Sequence, residues 1–257
     1  MGRRVGQPRM ITFSSADYLE LWERGFLLHP LDRGLLALGA ALPETTYEAL
    51  ADWPLGRRNR ALVELCCGCF GPKLQGRVSC PRCAKELEFQ IDGQAVLGGE
   101  PEPPPQPVSA SGGVGRSSGA AIVVRGRSFR VPTTRDLAKA ARQTEFRSAV
   151  IQLIEDCRME SGEGAVWRDE ELEEIGEKMA LADPLAEIRL KFDCAECGHQ
   201  WDESLDIMAF VWLEIEARAQ RLLMEIHTLA TAYGWSEKDI LSLSEPRRRL
   251  YLEMVRA

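Results

Sequence analysis

The feature that most constrains this chain is a pair of Cys-x-x-Cys motifs that lie far apart in the sequence, Cys80/Cys83 and Cys194/Cys197. Two residues between the cysteines let one tight turn direct both sulfurs at one metal ion, and structural zinc takes four such ligands in a tetrahedron. Cys83 and Cys194 are 111 positions apart, but the entropic cost of closing a loop grows only logarithmically with its length. The spacing therefore predicts one structural Zn²⁺ site with these four cysteines as ligands.

Both motifs lie between segments in which apolar and polar residues alternate, a pattern typical of β-strands. Residues 78–91 follow the order strand, cysteine turn, strand, and residues 188–205 repeat that order as a weak internal repeat. The sequence between and after them has the periodicity of helices. The predicted fold class is therefore α+β and mostly α-helical, with a small split zinc-ribbon β-unit, a helical insertion and a C-terminal helical region.

Changes in composition and periodicity divide the chain into six segments. The segment between the first motif and the insertion is rich in Pro, Gly and Ser and is predicted to be disordered, because it cannot bury enough apolar surface to fold. The segments are an N-terminal helical region (1–76), the first zinc knuckle (77–96), the disordered linker (97–120), a hairpin with the inserted helical region (121–187), the second zinc knuckle (188–205) and the C-terminal helices (206–257).

Local signals predict further details that a structure can test. Thr133 with Asp136 forms a capping box that predicts a helix start, followed by an amphipathic helical region to about Glu160. Pro43 predicts the start of another short helix, since proline suits the first helical turn. The basic run Arg247–Arg249 is interpreted as a solvated face of the last helix.

The choice of metal ligands has alternatives. Cys66/Cys69 is a third Cys-x-x-Cys pair, so a compact site with Cys80 and Cys83 is possible, although its helical spacing suits burial instead. His199 could replace one cysteine. A redox role is also conceivable, but redox pairs normally open a helix in a βαβ setting, which neither pair here does. The long-range pairing is the preferred interpretation.

Charge and composition indicate which partners are unlikely and where in the cell the protein is expected. The chain has a net charge of -7 and a pI of about 5.2, which makes nucleic acid an unlikely main partner because that binding depends on neutralising phosphates. No apolar run approaches the roughly 18 residues of a membrane helix, and the N-terminus lacks the apolar core of a secretory signal. We expect a cytoplasmic protein that is not bound to a membrane, whose eight cysteines serve as metal ligands or buried thiols.

No catalytic constellation is recognisable. The sequence lacks a nucleophile elbow, a phosphate-binding loop, a zinc-protease motif and a dinucleotide fingerprint. Four available cysteines also favour a closed, structural zinc site over a catalytic one, which would keep a position open for water. We therefore expect a protein that is not an enzyme.

Two regions resemble a known family. The first contains Asp52–Asn59 and Phe70–Pro72, and the second contains Asp183–Glu187 and the C-terminal segments Tyr233–Glu237 and Arg247–Tyr251. Together with the knuckles, they resemble the zinc-knuckle proteins of contractile phage tails and phage-derived injection systems that are similar to baseplate hub assembly chaperones. The resemblance covers roughly residues 52–91 and 121–257. It implies a non-enzymatic role in building or joining a tail baseplate, with other tail or baseplate proteins as partners.

The alternative function is a nucleic-acid-binding zinc ribbon. Such a protein needs a basic or aromatic face near its knuckles. Six residues could supply one: Arg77, Arg82, Lys85, Arg125, Arg127 and Arg130.

Overall fold

The computed structural model describes residues 10–98, 121–160 and 166–256. The predicted α+β, mostly helical class is confirmed. In chain order the elements are α1 (Ser15–Gly25), α2 (Pro30–Ala41), α3 (Tyr47–Ala51), α4 (Leu55–Phe70), β1 (Lys73–Ser79), β2 (Glu86–Asp92), α5 (Gly93–Val96), β3 (Ile122–Val124), β4 (Arg127–Phe129), α6 (Thr134–Ala140), α7 (Phe146–Cys157), α8 (Asp169–Ala182), a 3₁₀ turn (Pro184–Ala186), β5 (Ile188–Asp193), β6 (Gln200–Leu205), α9 (Ile207–Tyr233), α10 (Glu237–Ser242) and α11 (Glu245–Arg256).

The chain folds into two compact units. One unit combines Met1–Glu44 with Met208–Ala257, and the other comprises Thr45–Ile207. The predicted N-terminal segment 1–76 is therefore shared between the two units. The strands form three separate two-stranded antiparallel sheets, β1–β2, β3–β4 and β5–β6, all in the second unit.

The first unit packs α1 and α2 against the long helix α9. Buried residues of α9 recur every three or four positions, which gives the helix one continuous apolar stripe. Two glycines allow close helix contacts, because a Cβ at Gly25 would overlap the Trp212 ring and one at Gly34 would overlap the Met208 side chain. These contacts bring the two ends of the sequence into one core.

The basic run in the last helix is not uniformly solvated, so that prediction is wrong for its central residue. Arg248 is only 1% exposed. Its guanidinium donates to a carboxylate oxygen of Glu225 at 2.6 Å and to the hydroxyl of Ser15 at 3.3 Å. A buried arginine is tolerated only when its donors are paired, and here they join α11 to α9 and to the start of α1.

In the second unit, the hairpin β3–β4 covers α7 and α8. The hairpin turns at Arg125 and Gly126, as predicted, and both have positive φ. The Arg125 side chain pairs with Glu171 and Glu174 of α8. The apolar core between these elements consists of Ile122, Val124, Phe129, Ile154, Cys157, Trp167, Leu172, Ile175 and Met179.

A polar junction connects α4 to the segment that precedes β5. The backbone N–H of Gly56 donates to Asp183 at 2.8 Å, and the Asn59 amide donates to the carbonyl of Leu185 at 2.8 Å. The buried guanidinium of Arg58 donates to Thr134 at 3.0 Å. Burial lowers the pKa of Arg58 to about 10, partly offset by Asp206 and Asp183. The junction holds the start of β5 near α4.

Several local predictions are confirmed and two are wrong. The capping box of Thr133 and Asp136 starts α6, but the helical region to Glu160 is interrupted between Ala140 and Phe146. Pro43 does not start a helix, since the next one begins at Tyr47 behind a Thr46 cap. The predicted disordered linker 97–120 lies, from residue 99 onward, outside the described residues.

Candidate metal centre

The two knuckles are tight turns at the tips of the hairpins β1–β2 and β5–β6. In the first, the Cys80 N–H donates to Lys85 O at 2.9 Å and the Ala84 N–H to Cys80 O at 2.9 Å. The second repeats this pattern, from Cys194 to His199 O at 2.9 Å and from Gly198 to Cys194 O at 2.8 Å. The internal repeat in the sequence therefore corresponds to a repeated backbone geometry.

The structure brings the four predicted cysteines together. The Sγ atoms of Cys80 and Cys197 lie 3.6 Å apart, as do those of Cys83 and Cys194. All four sulfurs lie within 4.8 Å of one another. A tetrahedron with metal–sulfur bonds of about 2.3 Å has edges of about 3.8 Å. The spacing of the sulfurs therefore fits one tetrahedral metal ion.

Backbone N–H groups favour the negatively charged thiolate most clearly at Cys80. Burial alone would raise the pKa of Cys80, but the backbone N–H groups of Cys83 and Arg82 and the neighbouring thiols Cys197 and Cys83 lower it to about 7. The N–H of Lys85 acts to lower the pKa of Cys83, yet burial and the adjacent sulfurs outweigh it and raise that pKa to about 12. Adjacent thiols compete for negative charge in this way, and a divalent cation removes the competition.

The face between the two hairpins is only thinly packed. Phe89 of the first hairpin contacts Phe192 of the second, with ring centroids 5.4 Å apart, and Phe192 stacks on Trp201 at 5.5 Å. All three rings are only partly buried. Phe89 also lies across Gly76 of the paired strand, where a Cβ would meet its ring. Little apolar area is removed from water here, so the hairpins need another source of stability.

The alternative ligands lie elsewhere. Within the residues that the structure describes, the four-cysteine group contains no other Cys, His, Asp or Glu. Cys66 is buried in α4, and Cys69 follows it on the same helix with intermediate exposure. The His199 ring stacks on Trp201 with centroids 5.8 Å apart. Cys157 is buried in the apolar core, and burial raises the pKa of its thiol to about 12.

Sequence reasoning missed one contact between the knuckles. Lys85, next to the first knuckle, pairs with Glu196 inside the second at 3.6 Å. Both side chains are largely exposed, so the pair contributes little to stability. The sequence shows opposite charges at the two motifs, but only the folded structure places Lys85 next to Glu196.

Comparisons with known proteins identify no relative of this chain. No protein-family model matches the chain, and neither the curated proteins nor the solved structures contain a significant match. In the described part of the chain, no helix combines the length and apolar character needed to cross a bilayer. The four-cysteine cluster, which could hold a metal ion, is therefore the main functional observation.

Proposed function

We propose that the protein binds one structural Zn²⁺ through Cys80, Cys83, Cys194 and Cys197 and acts as a non-enzymatic assembly or structural protein of a phage-like contractile tail or injection-system baseplate. The observation that carries the zinc proposal is the convergence of four sulfurs within 4.8 Å. Four thiolates are the ligand set of structural zinc, and they leave no open position for a reacting water.

Zinc would supply the stability that the thin hairpin interface lacks. Coordination fixes two segments that are distant in sequence, and structural zinc binding contributes on the order of 10 kcal/mol to folding. In this role the ion joins the hairpins β1–β2 and β5–β6, which bracket the inserted helices. The ion would hold the two hairpins together and take no part in a reaction.

The baseplate role is supported by the family resemblance, because two of the segments that carry it also contact each other in this fold. Asp52–Asn59 and Asp183–Glu187 contact each other through the hydrogen bonds of Gly56 and Asn59. A Cβ at Gly56 would overlap the Asp183 carboxylate. The tail role follows, as a proposal, from the resemblance of these two segments to that family.

Ion pairs within the chain weaken the case for a nucleic-acid partner. Several basic residues that could form a phosphate-binding face already have acidic neighbours: Arg77 pairs with Glu88, and Lys85 pairs with Glu196. Neutralised cations release few counterions when they meet a phosphate backbone. The alternative, a nucleic-acid-binding ribbon, therefore receives no support from this surface.

Metal analysis tests the zinc proposal. We expect the purified protein to contain one zinc ion per chain by inductively coupled plasma mass spectrometry, and Cys80→Ser and Cys194→Ser each to lose it. Cys66→Ser, on α4, is the matched control and should keep its zinc. Zinc retained in both knuckle variants, or lost in the control, would refute the proposed ligand set.

Assembly is tested separately. The tagged protein should co-purify with baseplate components from cells that produce the contractile apparatus, and deletion of its gene should reduce the yield of complete particles. Normal particle assembly without the gene, with no trace of the protein in particles or intermediates, would refute the baseplate role and leave the zinc proposal intact.

A further inference from the structure

One sulfur of the four-cysteine cluster is open to solvent. Cys83 is exposed, whereas Cys80 and Cys194 are buried and Cys197 has intermediate exposure. Oxidation of a cysteine requires a thiolate and access for the oxidant. All four sulfurs of a zinc-bound cluster are thiolates, so the raised pKa that Cys83 has in the metal-free cluster does not protect it there. Exposure therefore makes Cys83 the sulfur that a small oxidant reaches first.

A second sulfur lies beside Cys83, on the other knuckle. The Sγ atom of Cys83 is 3.6 Å from that of Cys194, and the Sγ atoms of Cys80 and Cys197 are also 3.6 Å apart. Both contacts join the β1–β2 hairpin to the β5–β6 hairpin. A disulfide bond is about 2.05 Å long, so either contact closes with a movement of about 1.5 Å. Because Cys194 is buried, it is shielded from an oxidant but placed to attack an oxidised Cys83.

We propose, on the basis of the zinc site proposed above, that the knuckles form a redox switch in which hydrogen peroxide oxidises Cys83 and a disulfide between the hairpins then replaces the metal. The Cys83 thiolate attacks one peroxide oxygen, the O–O bond breaks, and a sulfenic acid and hydroxide result. The Cys194 thiolate then attacks the Cys83 sulfur, so that the S–S bond forms as the S–O bond breaks and a second hydroxide leaves. Two thiolates lose two electrons, the peroxide gains them, and two protons from solvent convert both hydroxides to water.

This disulfide releases zinc without releasing the hairpins. Only Cys80 and Cys197 remain as ligands, which are too few for a closed structural site. The new bond connects positions 111 apart in the sequence, and a cross-link that closes so long a loop strongly restricts the unfolded chain. The oxidised protein therefore keeps its two hairpins joined, whereas removal of the metal by a chelator leaves them unlinked.

Peroxide treatment of the zinc-loaded full chain tests the switch. A chromophoric zinc indicator should report the release of one zinc ion per chain, and dithiothreitol followed by added zinc should restore binding. Peptide mapping without reduction should find the disulfide between Cys83 and Cys194. A brief treatment in the presence of dimedone, which traps sulfenic acids, should label Cys83 in preference to the other three ligands. Cys66→Ser, which removes a thiol buried in α4, is the matched control and should respond as the parent does.

Hydrogen exchange distinguishes the disulfide from simple loss of the metal. We expect backbone amides in β1, β2, β5 and β6 to exchange on the order of tenfold more slowly in the oxidised protein than in reduced protein stripped by a chelator. Equal exchange in the two samples would show that oxidation leaves the hairpins unlinked, and would overturn the switch.

Further results would also overturn it. One is zinc-loaded protein that keeps its metal in excess peroxide, and another is release accompanied by disulfides only within Cys80/Cys83 and Cys194/Cys197. Both would leave the zinc site itself intact. Protein that contains no zinc before peroxide is added would instead refute the ligand set, and the switch with it.

Discussion

The two Cys-x-x-Cys knuckles reach the same backbone geometry from different sequences. The first reads Cys-Pro-Arg-Cys-Ala and the second Cys-Ala-Glu-Cys-Gly. The residue after the second cysteine has a left-handed φ in both, 57° at Ala84 and 68° at Gly198. Glycine adopts this conformation without steric cost, whereas alanine does not. The backbone hydrogen bonds of the turn, which are the same in both knuckles, therefore hold even a residue that disfavours this conformation.

The knuckles also differ in how far water reaches their sulfurs. The first cysteine of each motif, Cys80 or Cys194, is buried. The second cysteine is exposed in the first knuckle, at Cys83, and intermediate in the second, at Cys197. One side of the proposed zinc site therefore faces solvent, and it belongs to the first knuckle. Each difference leads to a measurement.

Metal removal should have the largest effect on stability, and it should destabilise both knuckles together. With a strong chelator, we expect backbone amides in β1, β2, β5 and β6 to exchange on the order of 100-fold faster or more, because the ion stabilises both hairpins. Amides of α8, whose core is independent, should change far less. Hydrogen exchange with mass spectrometry measures both regions in one sample.

Two outcomes of the exchange measurement would contradict this expectation. If only one hairpin loses its protection, the two knuckles do not share an ion and the four-sulfur site is wrong. If α8 loses protection to the same degree, the whole unit unfolds as one and the hairpins are not a separate element.

Substitution of single cysteines should show that the exposed sulfur contributes less to zinc affinity than a buried one. We expect Cys194→Ala to weaken zinc binding on the order of tenfold more than Cys83→Ala does, because water can complete the coordination only on the solvent side. Competition with a chromophoric chelator measures both affinities. Equal losses would show that exposure does not distinguish the two sites.

Alanine at the left-handed position should destabilise the second knuckle, which has glycine there. Gly198→Ala should lower the free energy of unfolding by about 1 kcal/mol, since no neighbouring atom lies within 4 Å of the added Cβ and only the positive φ opposes it. Urea denaturation in the presence of zinc measures this. Gly176→Ala, at an equally open helical position in α8, is the control and should stabilise the protein.

The reverse substitution should stabilise the first knuckle. Ala84→Gly removes the steric cost of a positive φ but adds freedom to the unfolded chain, so we expect a net gain of about 0.5 kcal/mol. The same urea titration measures it. A loss of stability would mean that Ala84 is not strained in solution.

The smallest expected effect belongs to the ion pair between the knuckles. Lys85→Ala should lower the free energy of unfolding by less than about 0.5 kcal/mol, and the loss should vanish in high salt, because both side chains are largely exposed. Comparison of Lys85→Ala, Glu196→Ala and the double variant gives the coupling energy directly. A salt-independent loss would point to packing of the lysine stem.

Much of the fold could be predicted from local patterns. The strand–turn–strand order around each motif, the Thr133 cap and the Arg125–Gly126 turn depend on residues within a few positions of one another. The short helix expected at Pro43 shows the limit of such signals, since Thr46 provides the cap three residues later. A side-chain cap outweighed the preference of proline for a first turn.

Other features depended on contacts that no local pattern reveals. Arg248 is next to Arg247 and Arg249, and nothing in the run distinguishes it. Only the packing of α11 places it against Glu225 and Ser15. The charge on arginine predicts exposure, and a buried set of acceptors from distant elements reverses that prediction.

The amino-acid sequence alone was enough to predict that cysteine turns lie between short strands, because the geometry of a knuckle is set within about five residues. The helical spacing of Cys66/Cys69 favoured the pairing of the two distant turns, but only the tertiary structure shows that those turns meet. The apolar face of α4 buries Cys66 beside Leu62 and Leu65, which withdraws that pair from the site. Burial of apolar surface accounts for the position of Cys66, and the contact between the two hairpins brings the other four sulfurs together.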